Sequence, residues 1–429
     1  MTLPLLSGAM LPDRPDRPVG VLQFGTGRFL MGFLGDFLDR AALRAVIVQQ
    51  TGIDKAHAIA EQDGLYTLVK RGEGVDERRL IDAYAGALTV AEDGEQLTAI
   101  ACSPDLHAIV SNVTEAGLAT DPADALDAPV SYPARLTALL YARWRAGQPG
   151  LAIVPCELIE DNGALVARLV REMAAHWALA PAFQDWLMAE CVFPNTLVDR
   201  IVTGLPNAEN QAEMEAEIGY RDALLTVCEP YALFAIEGDA ALAQRLGFVA
   251  GNPVIRVEPD IRRYRDLKLR LLNGGHSASA AVAILLGHGL VRDAMADPRF
   301  ARFIDGVLTQ EIAPTIAVPI EEARGYAADV LTRWRNPAIE HHWRDIATGY
   351  VAKVRNRLAA PIAASDGVPE RLAIGMAALV VLMRDADSAA RAGWEGALPL
   401  TAPAFTAYVA ELVARIDNDG LVAILDRID

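Results

Sequence analysis

Apolar residues recur in two rhythms along the 429-residue chain, and the change between them falls near residue 259. Before it, continuous apolar runs at Val19–Phe24, 45–48, 106–110, 151–155 and 189–193 alternate with stretches whose apolar positions return every three or four residues. The runs have the length of buried strands, and the periodic stretches read as amphipathic helices. The clearest helix spans 28–43, with Phe29, Leu30, Phe33, Leu34, Phe37, Leu38 and Ala41 on one face; 136–144 and 164–177 repeat the pattern. Strand, glycine turn, helix and strand within about 30 residues make a βαβ unit, whose right-handed crossover predicts a parallel sheet. Residues 224–237, broken at Pro230, read as strand, turn and strand near the edge of that sheet, since proline cannot donate to a central ladder. Beyond Pro259, Ala/Leu/Arg-rich helical periodicity runs to the end. The pattern predicts a doubly wound α/β domain over residues 1–257 and an all-helical domain over 258–429.

Composition narrows the function. With 39 Lys+Arg against 56 Asp+Glu, the formal charge of −17 repels phosphate backbones and anionic membranes, so neither nucleic acid nor membrane is an expected partner. A local basic pocket for a small anion remains compatible with that charge. The four cysteines form no CxxC pair, which argues for free thiols rather than a zinc knuckle or redox dithiol. The N-terminus lacks a basic start before its apolar stretch and no uncharged run is long enough to span a bilayer, so a cytoplasmic protein is expected. No clustered metal-ligand set stands out; His341 and His342 are adjacent in a charged, helical stretch and read as surface or packing residues.

The turn GTGRFLMG places Gly25 and Gly27 where the first strand meets its helix. Backbone N–H groups there can cradle a pyrophosphate if no β-carbon blocks the approach. The spacing departs from GxGxxG, with Leu30 at the third position and Gly32 beyond it, so an ordinary βα turn remains the alternative. The second strand ends Val48-Gln49-Gln50-Thr51-Gly52 without the carboxylate that usually accepts from the adenine ribose. Gln49 or Gln50 is a neutral substitute, Asp54 lies near, and Lys55 favours a phosphate, so NAD and NADP are both open.

Only four lysines occur, and Lys268 lies inside a helical segment, DLKLRLLNGGHS, with Asn273 and His276. Offsets of five and eight at ~100° per residue put the three within an arc of about 140°. A lysine with a depressed pKa, beside cations such as Arg265 or Arg270, serves as a general base; an asparagine amide stabilises an alkoxide, and a histidine bonds a substrate oxygen. A snorkelling lysine beside a satisfied asparagine and histidine is the plainer reading of this segment alone.

Five segments in order, LQFGTGRFL, QDGLYTLVKRG, SPDLHAIVSNVTEAG, FPNTLVDRIV and EPD with KLRLLNGGHS, resemble the long-chain mannitol dehydrogenase family, most closely its tagaturonate/altronate branch. The resemblance implies an N-terminal Rossmann-like domain, a helical C-terminal domain and a metal-independent NAD-dependent dehydrogenase, with NADP possible. Its active site lies in the cleft between domains and acts on a small sugar acid or polyol; a monomer is allowed. By the same resemblance Lys268 is the general acid/base, Asn195 and Asn273 stabilise the alkoxide, and His276 orients substrate. Phe24, Gly25, Thr26, Gly27, Arg28 and Phe29 surround the pyrophosphate, Gln49 and Gln50 the ribose, and Ser111, Asn112 and Thr114 the nicotinamide. Asp199 and Arg200 are either an ion pair fixing the Asn195 loop or substrate contacts. Arg262, Arg263 and Arg265 are candidates for a substrate carboxylate, with a solvated basic face as the alternative. A sugar alcohol 2-dehydrogenase, a fructuronate reductase and a nucleotide-sensing protein without chemistry are the competing functions.

Overall fold

The computed structural model describes residues 3–384 and 403–428. Val19–Phe24 is the middle strand of a five-stranded sheet, ordered Tyr84–Thr89, Arg44–Gln49, Val19–Phe24, Ala108–Ser111 and Ala152–Pro155, in which every pair is parallel. The runs are continuous rather than alternating because both faces are covered. Val21, Ile47, Val110 and Val154 face one core with Phe33, Leu34 and Phe37 of the first helix. Leu22, Val48, Ile109 and Ile153 face another, built with Leu136 and Leu140 of helix Tyr132–Arg145 and Val166 and Val170 of helix Asn162–His176. Each such fully buried aliphatic side chain contributes roughly 1.5–3 kcal/mol.

The first helix runs from Arg28 to Arg40 and contains a π turn at Met31–Gly35. The Tyr66 hydroxyl donates to the Met31 carbonyl at 2.6 Å, in space that a β-carbon on Gly35 would fill. A side chain inserted into the helical ladder in this way is a known cause of local widening. Two further small sheets accompany the parallel one, ordered Val75–Ile81, Tyr66–Gly72, Thr226–Cys228, Val202–Gly204 and Ile255–Glu258, Leu233–Glu237, Thr196–Asp199. Residues 224–237 therefore supply one strand to each of these sheets and none to the edge of the parallel sheet. Residues 189–193 are not a strand either: helix Pro181–Glu190 ends there and Val192 makes a single bridge to Ala152. The apolar run marked a helix end folding onto the sheet.

One buried carboxylate ties these pieces together. Asp36 lies 2.8 Å from Lys70, 2.9 Å from Arg79, 3.0 Å from Arg200 and 3.1 Å from Arg40. Burial alone would raise its pKa, but Lys70 and Arg200 reverse this and hold it at about 2. Arg200 also donates to the Gly32 carbonyl at 2.7 Å. Its carboxylate partner in this network is Asp36, on the first helix.

The chain divides into two compact units, Met1–Arg71 with Val75–Ile261, and Gly72–Gly74 with Arg262–Asp429. Among the described residues the second unit carries helices and turns without a strand-built sheet; residues 385–402 of the expected helical domain lie outside the described residues. Its central helix passes through Arg262–Leu267, Lys268–Asn273 and Gly274–Leu285, and packs against Tyr350–Ala364 and Glu370–Met383. Gly275 permits this density, since a β-carbon there would sit 2.8 Å from Leu308. Pro361 lies inside Tyr350–Ala364 and has no N–H for the Arg357 carbonyl four residues back; Arg270 donates to that carbonyl at 3.2 Å. No helix among the described residues is long and apolar enough to cross a membrane.

Candidate active site

The glycine turn lies at the C-terminal edge of the parallel sheet, the edge at which open α/β sheets bind ligands. Gly25 has φ +120°, and a β-carbon on it would lie 2.6 Å from the Asn112 carbonyl, so the loops after the first and fourth sheet strands touch backbone to backbone. Gly27 precedes the helix in extended conformation, with open space where its β-carbon would stand. First-turn N–H groups have no intrahelical acceptors, and among the described residues no side chain caps them. A glycine opening onto a helix N-terminus with free N–H groups fits a dinucleotide pyrophosphate.

The remaining candidates around this edge differ in what holds them. Phe24 is buried edge-on to Tyr132, and Phe29 stacks on Phe33 at 5.1 Å. Thr26 is half-buried. Arg28 turns to the 223–226 loop, donating to the carbonyls of Ala223 and Leu224. The Gln49 amide accepts from Ala56 N–H at 2.7 Å and donates to the Thr51 carbonyl at 2.8 Å, so it is occupied by backbone. Gln50 accepts from Arg135 at 3.3 Å through its side-chain oxygen. Asn112 donates to the Cys156 carbonyl at 2.7 Å, and Thr114 adopts the left-handed conformation at φ +71°.

Glu157 was not singled out by sequence reasoning. It accepts from Ser111 Oγ at 3.1 Å and from Val113 N–H at 2.9 Å, and burial pushes its carboxyl up despite those bonds. The only local signal was a carboxylate two residues after a buried strand.

Asn195 sits between a strand and a helix N-terminus of the same unit. Its Oδ1 accepts from Ala164 N–H at 3.1 Å, and its Nδ2 donates to Glu237 Oε2 at 2.6 Å. The amide orientation is forced, because a flip would set oxygen against carboxylate and Nδ2 against an N–H. The segment around it is pinned as well. Buried Asn162 accepts from Thr196 N–H at 2.9 Å and donates to the Glu157 carbonyl at 3.0 Å, while Thr196 Oγ1 donates to Pro155. At Gly163 a β-carbon would lie 2.3 Å from the Pro194 carbonyl oxygen.

In the second unit, Lys268–Asn273 is a π turn inserted in the central helix. Hydrogen bonding from i to i+5 sets residues five apart nearly above one another, so Lys268 and Asn273 share a face more closely than a regular helix would allow. Both are half-buried. His276 follows, buried, its ring stacked on Trp334 at 4.3 Å and edge-on to His341 at 5.0 Å. Its Nε2 is buried with no partner among the described residues. Burial first, then His341, Arg357 and Arg333, holds its pKa well below the usual histidine range, so the ring is neutral at pH 7. His341 and His342 are not helical; they precede helix Trp343–Ile346, and His341 turns toward His276 while His342 is exposed. Arg263 lies over the Tyr264 ring at 4.7 Å, and Arg265 approaches Asp266 at 4.0 Å.

Known proteins match both parts of the chain. Residues 19–248 match the mannitol dehydrogenase Rossmann domain and residues 260–394 the mannitol dehydrogenase C-terminal domain. The altronate oxidoreductase of Klebsiella pneumoniae strain 342 is 37% identical over 398 residues, spanning 88% of this chain and 81% of that protein. That of Bacillus subtilis is 37% identical over 391 residues, spanning 86% and 81%. Among solved structures, a substrate-free D-sorbitol dehydrogenase superposes with TM-score 0.84 at 20% identity, covering 97% of this chain and 99% of that one. A Pseudomonas fluorescens mannitol 2-dehydrogenase in ternary complex with NAD and D-mannitol superposes with TM-score 0.72 at 20% identity, covering 99% and 96%.

Proposed function

Because the chain belongs to the mannitol dehydrogenase family, and is thus an oxidoreductase of CH–OH groups that uses a nicotinamide cofactor, we propose that its substrate pair is a keto sugar acid and its alcohol, of the tagaturonate/altronate type. The observation that carries the residue assignment is the π turn, which aligns an amine and an amide on one helix face with an unpartnered imidazole nitrogen beyond them. Lys268 gives a proton to the carbonyl oxygen in reduction and takes it from the alcohol in oxidation. Asn273 and Asn195 donate to that oxygen as charge develops on it, an interaction stronger in the transition state than in either ground state. Asn195 has one Nδ2 hydrogen left for this after its bond to Glu237. His276, neutral and unpartnered at Nε2, bonds a substrate hydroxyl. The dinucleotide, when bound, supplies or takes up the hydride. Gly25, Gly27 and the first-turn N–H groups hold its pyrophosphate, and the Ser111–Thr114 loop, braced by Glu157, borders its nicotinamide.

We take NAD as the cofactor and NADP as tolerated. No carboxylate ends the Arg44–Gln49 strand and the Gln49 amide is engaged elsewhere, so the strand end itself does not select against a 2′-phosphate. The test is a side-by-side assay of altronate and mannitol with NAD and NADP. Turnover of altronate well above mannitol is expected; preference for mannitol would replace the sugar acid by a neutral polyol, and turnover of neither acids nor polyols would remove the proposal.

A further inference from the structure

The aim of the Asn195 amide depends on residues remote in the chain. Its amide oxygen is fixed by the start of helix Asn162–His176 and its amide nitrogen by a carboxylate 42 positions along the chain. That carboxylate, Glu237, is bonded to Asn195 twice: it accepts from Nδ2 at 2.6 Å, and its own N–H donates to the Asn195 carbonyl at 2.8 Å. Its strand, Leu233–Glu237, pairs with Thr196–Asp199, so the contact comes from the ladder that begins immediately after Asn195. A charged acceptor at this distance fixes the rotation of the amide far more strongly than water would. With one hydrogen directed at Glu237, the planar NH2 group must direct its second along a single defined line.

We propose that Glu237 is a positioning residue for catalysis: it sets the rotation of the Asn195 amide and thereby the direction of the N–H offered to the reacting oxygen. The inference rests on the reading of Asn195 as an alkoxide donor. Glu237 acts through Asn195, so its removal matters only while Asn195 is present.

A double-mutant cycle measures this, using the full-length enzyme with its best sugar substrate. Glu237→Ala is expected to lower kcat about 10–100-fold, the scale of a misaimed catalytic group, with KM and the cofactor Kd within about twofold of wild type. Glu237→Gln, which keeps an acceptor oxygen, recovers most of that loss. In the Asn195→Ala background, Glu237→Ala has no further effect on kcat. A wild-type kcat for Glu237→Ala, equal defects for Gln and Ala, or a further tenfold loss in the double variant each overturns the proposal. If Asn195→Ala alone leaves kcat nearly unchanged, the donor reading has failed and this inference with it; a slow Asn195→Ala beside a normal Glu237→Ala removes the inference only. Should Glu237→Ala not fold, Glu237→Asp carries the test: it keeps the charge and shortens the reach, so kcat must fall, and a wild-type kcat overturns the proposal.

Discussion

Substituting Gly163 by alanine probes the site from a residue with no chemistry of its own. The added β-carbon would lie 2.3 Å from the Pro194 carbonyl oxygen, 2.4 Å from its carbon and 2.5 Å from the Phe193 carbonyl oxygen. All three are backbone atoms, so no side chain can rotate away. Ordinary contact begins near 3.4 Å, and the helix start or the FPN segment must therefore shift by about 1 Å. The Ala164 N–H that holds Asn195 Oδ1 is the next residue on the helix, and Asn195 is the next residue on the segment. The shift thus falls on the Asn195 amide, which we propose as an alkoxide donor. A misplacement of that size lowers rates by about 10²-fold, and overpacking costs roughly 1–3 kcal/mol of stability. Steady-state turnover, urea unfolding and cofactor titration separate the effects: kcat is expected to fall 10–100-fold, stability to drop by about 1–3 kcal/mol, and cofactor affinity to change little. A Gly163→Ala enzyme with kcat within twofold of wild type would refute the claim that this contact sets the Asn195 geometry.

Lys268→Ala should lower turnover by orders of magnitude while cofactor binding persists, and added small amines should restore part of the rate; a rate within a few-fold of wild type would remove the lysine from the mechanism. His276→Phe keeps the stack on Trp334 and loses Nε2, so KM should rise more than kcat falls; an unchanged KM would show that the imidazole does not hold substrate. Asp36 has a folded pKa of about 2 against 3.8 for a free carboxyl, so its contribution is complete above pH ~4 and is lost as pH falls toward ~2. Asp36→Asn should cost about 3–5 kcal/mol at pH 7 in denaturant titrations, by leaving the buried Lys70 and Arg200 uncompensated, and should flatten that acid limb; equal acid sensitivity in both proteins would contradict the assignment.

Four strands of the parallel sheet and its first helix were readable because Val19–Phe24 and its neighbours are buried on both faces and the helix keeps a three-and-four rhythm; the edge strand Tyr84–Thr89, exposed at Ala85, was not. The small sheets were not: Val202–Gly204 has three residues and shows no periodicity, and although 224–237 read as two strands, nothing local says that Thr226–Cys228 and Leu233–Glu237 join different sheets. The 189–193 run failed for the same reason: a short apolar stretch does not distinguish a strand from the end of helix Pro181–Glu190. Lys268, Asn273 and His276 could be grouped from spacing, but the π turn that aligns the first two leaves no mark in KLRLLN. The partners of Asn195 lie 31 and 42 positions away, and Arg200 is 164 from Asp36. Local pattern names such residues as chemically apt; their pairing is a property of the folded backbone.

Pro361 removes one backbone donor from its helix, and the side chain that replaces it comes from Arg270, two residues beyond Lys268. The vacancy works as an address. A slide of the lysine-bearing helix by a single residue would carry the guanidinium past the bare carbonyl, so the longitudinal placement of the Lys268 amine is checked against a defect in its neighbour.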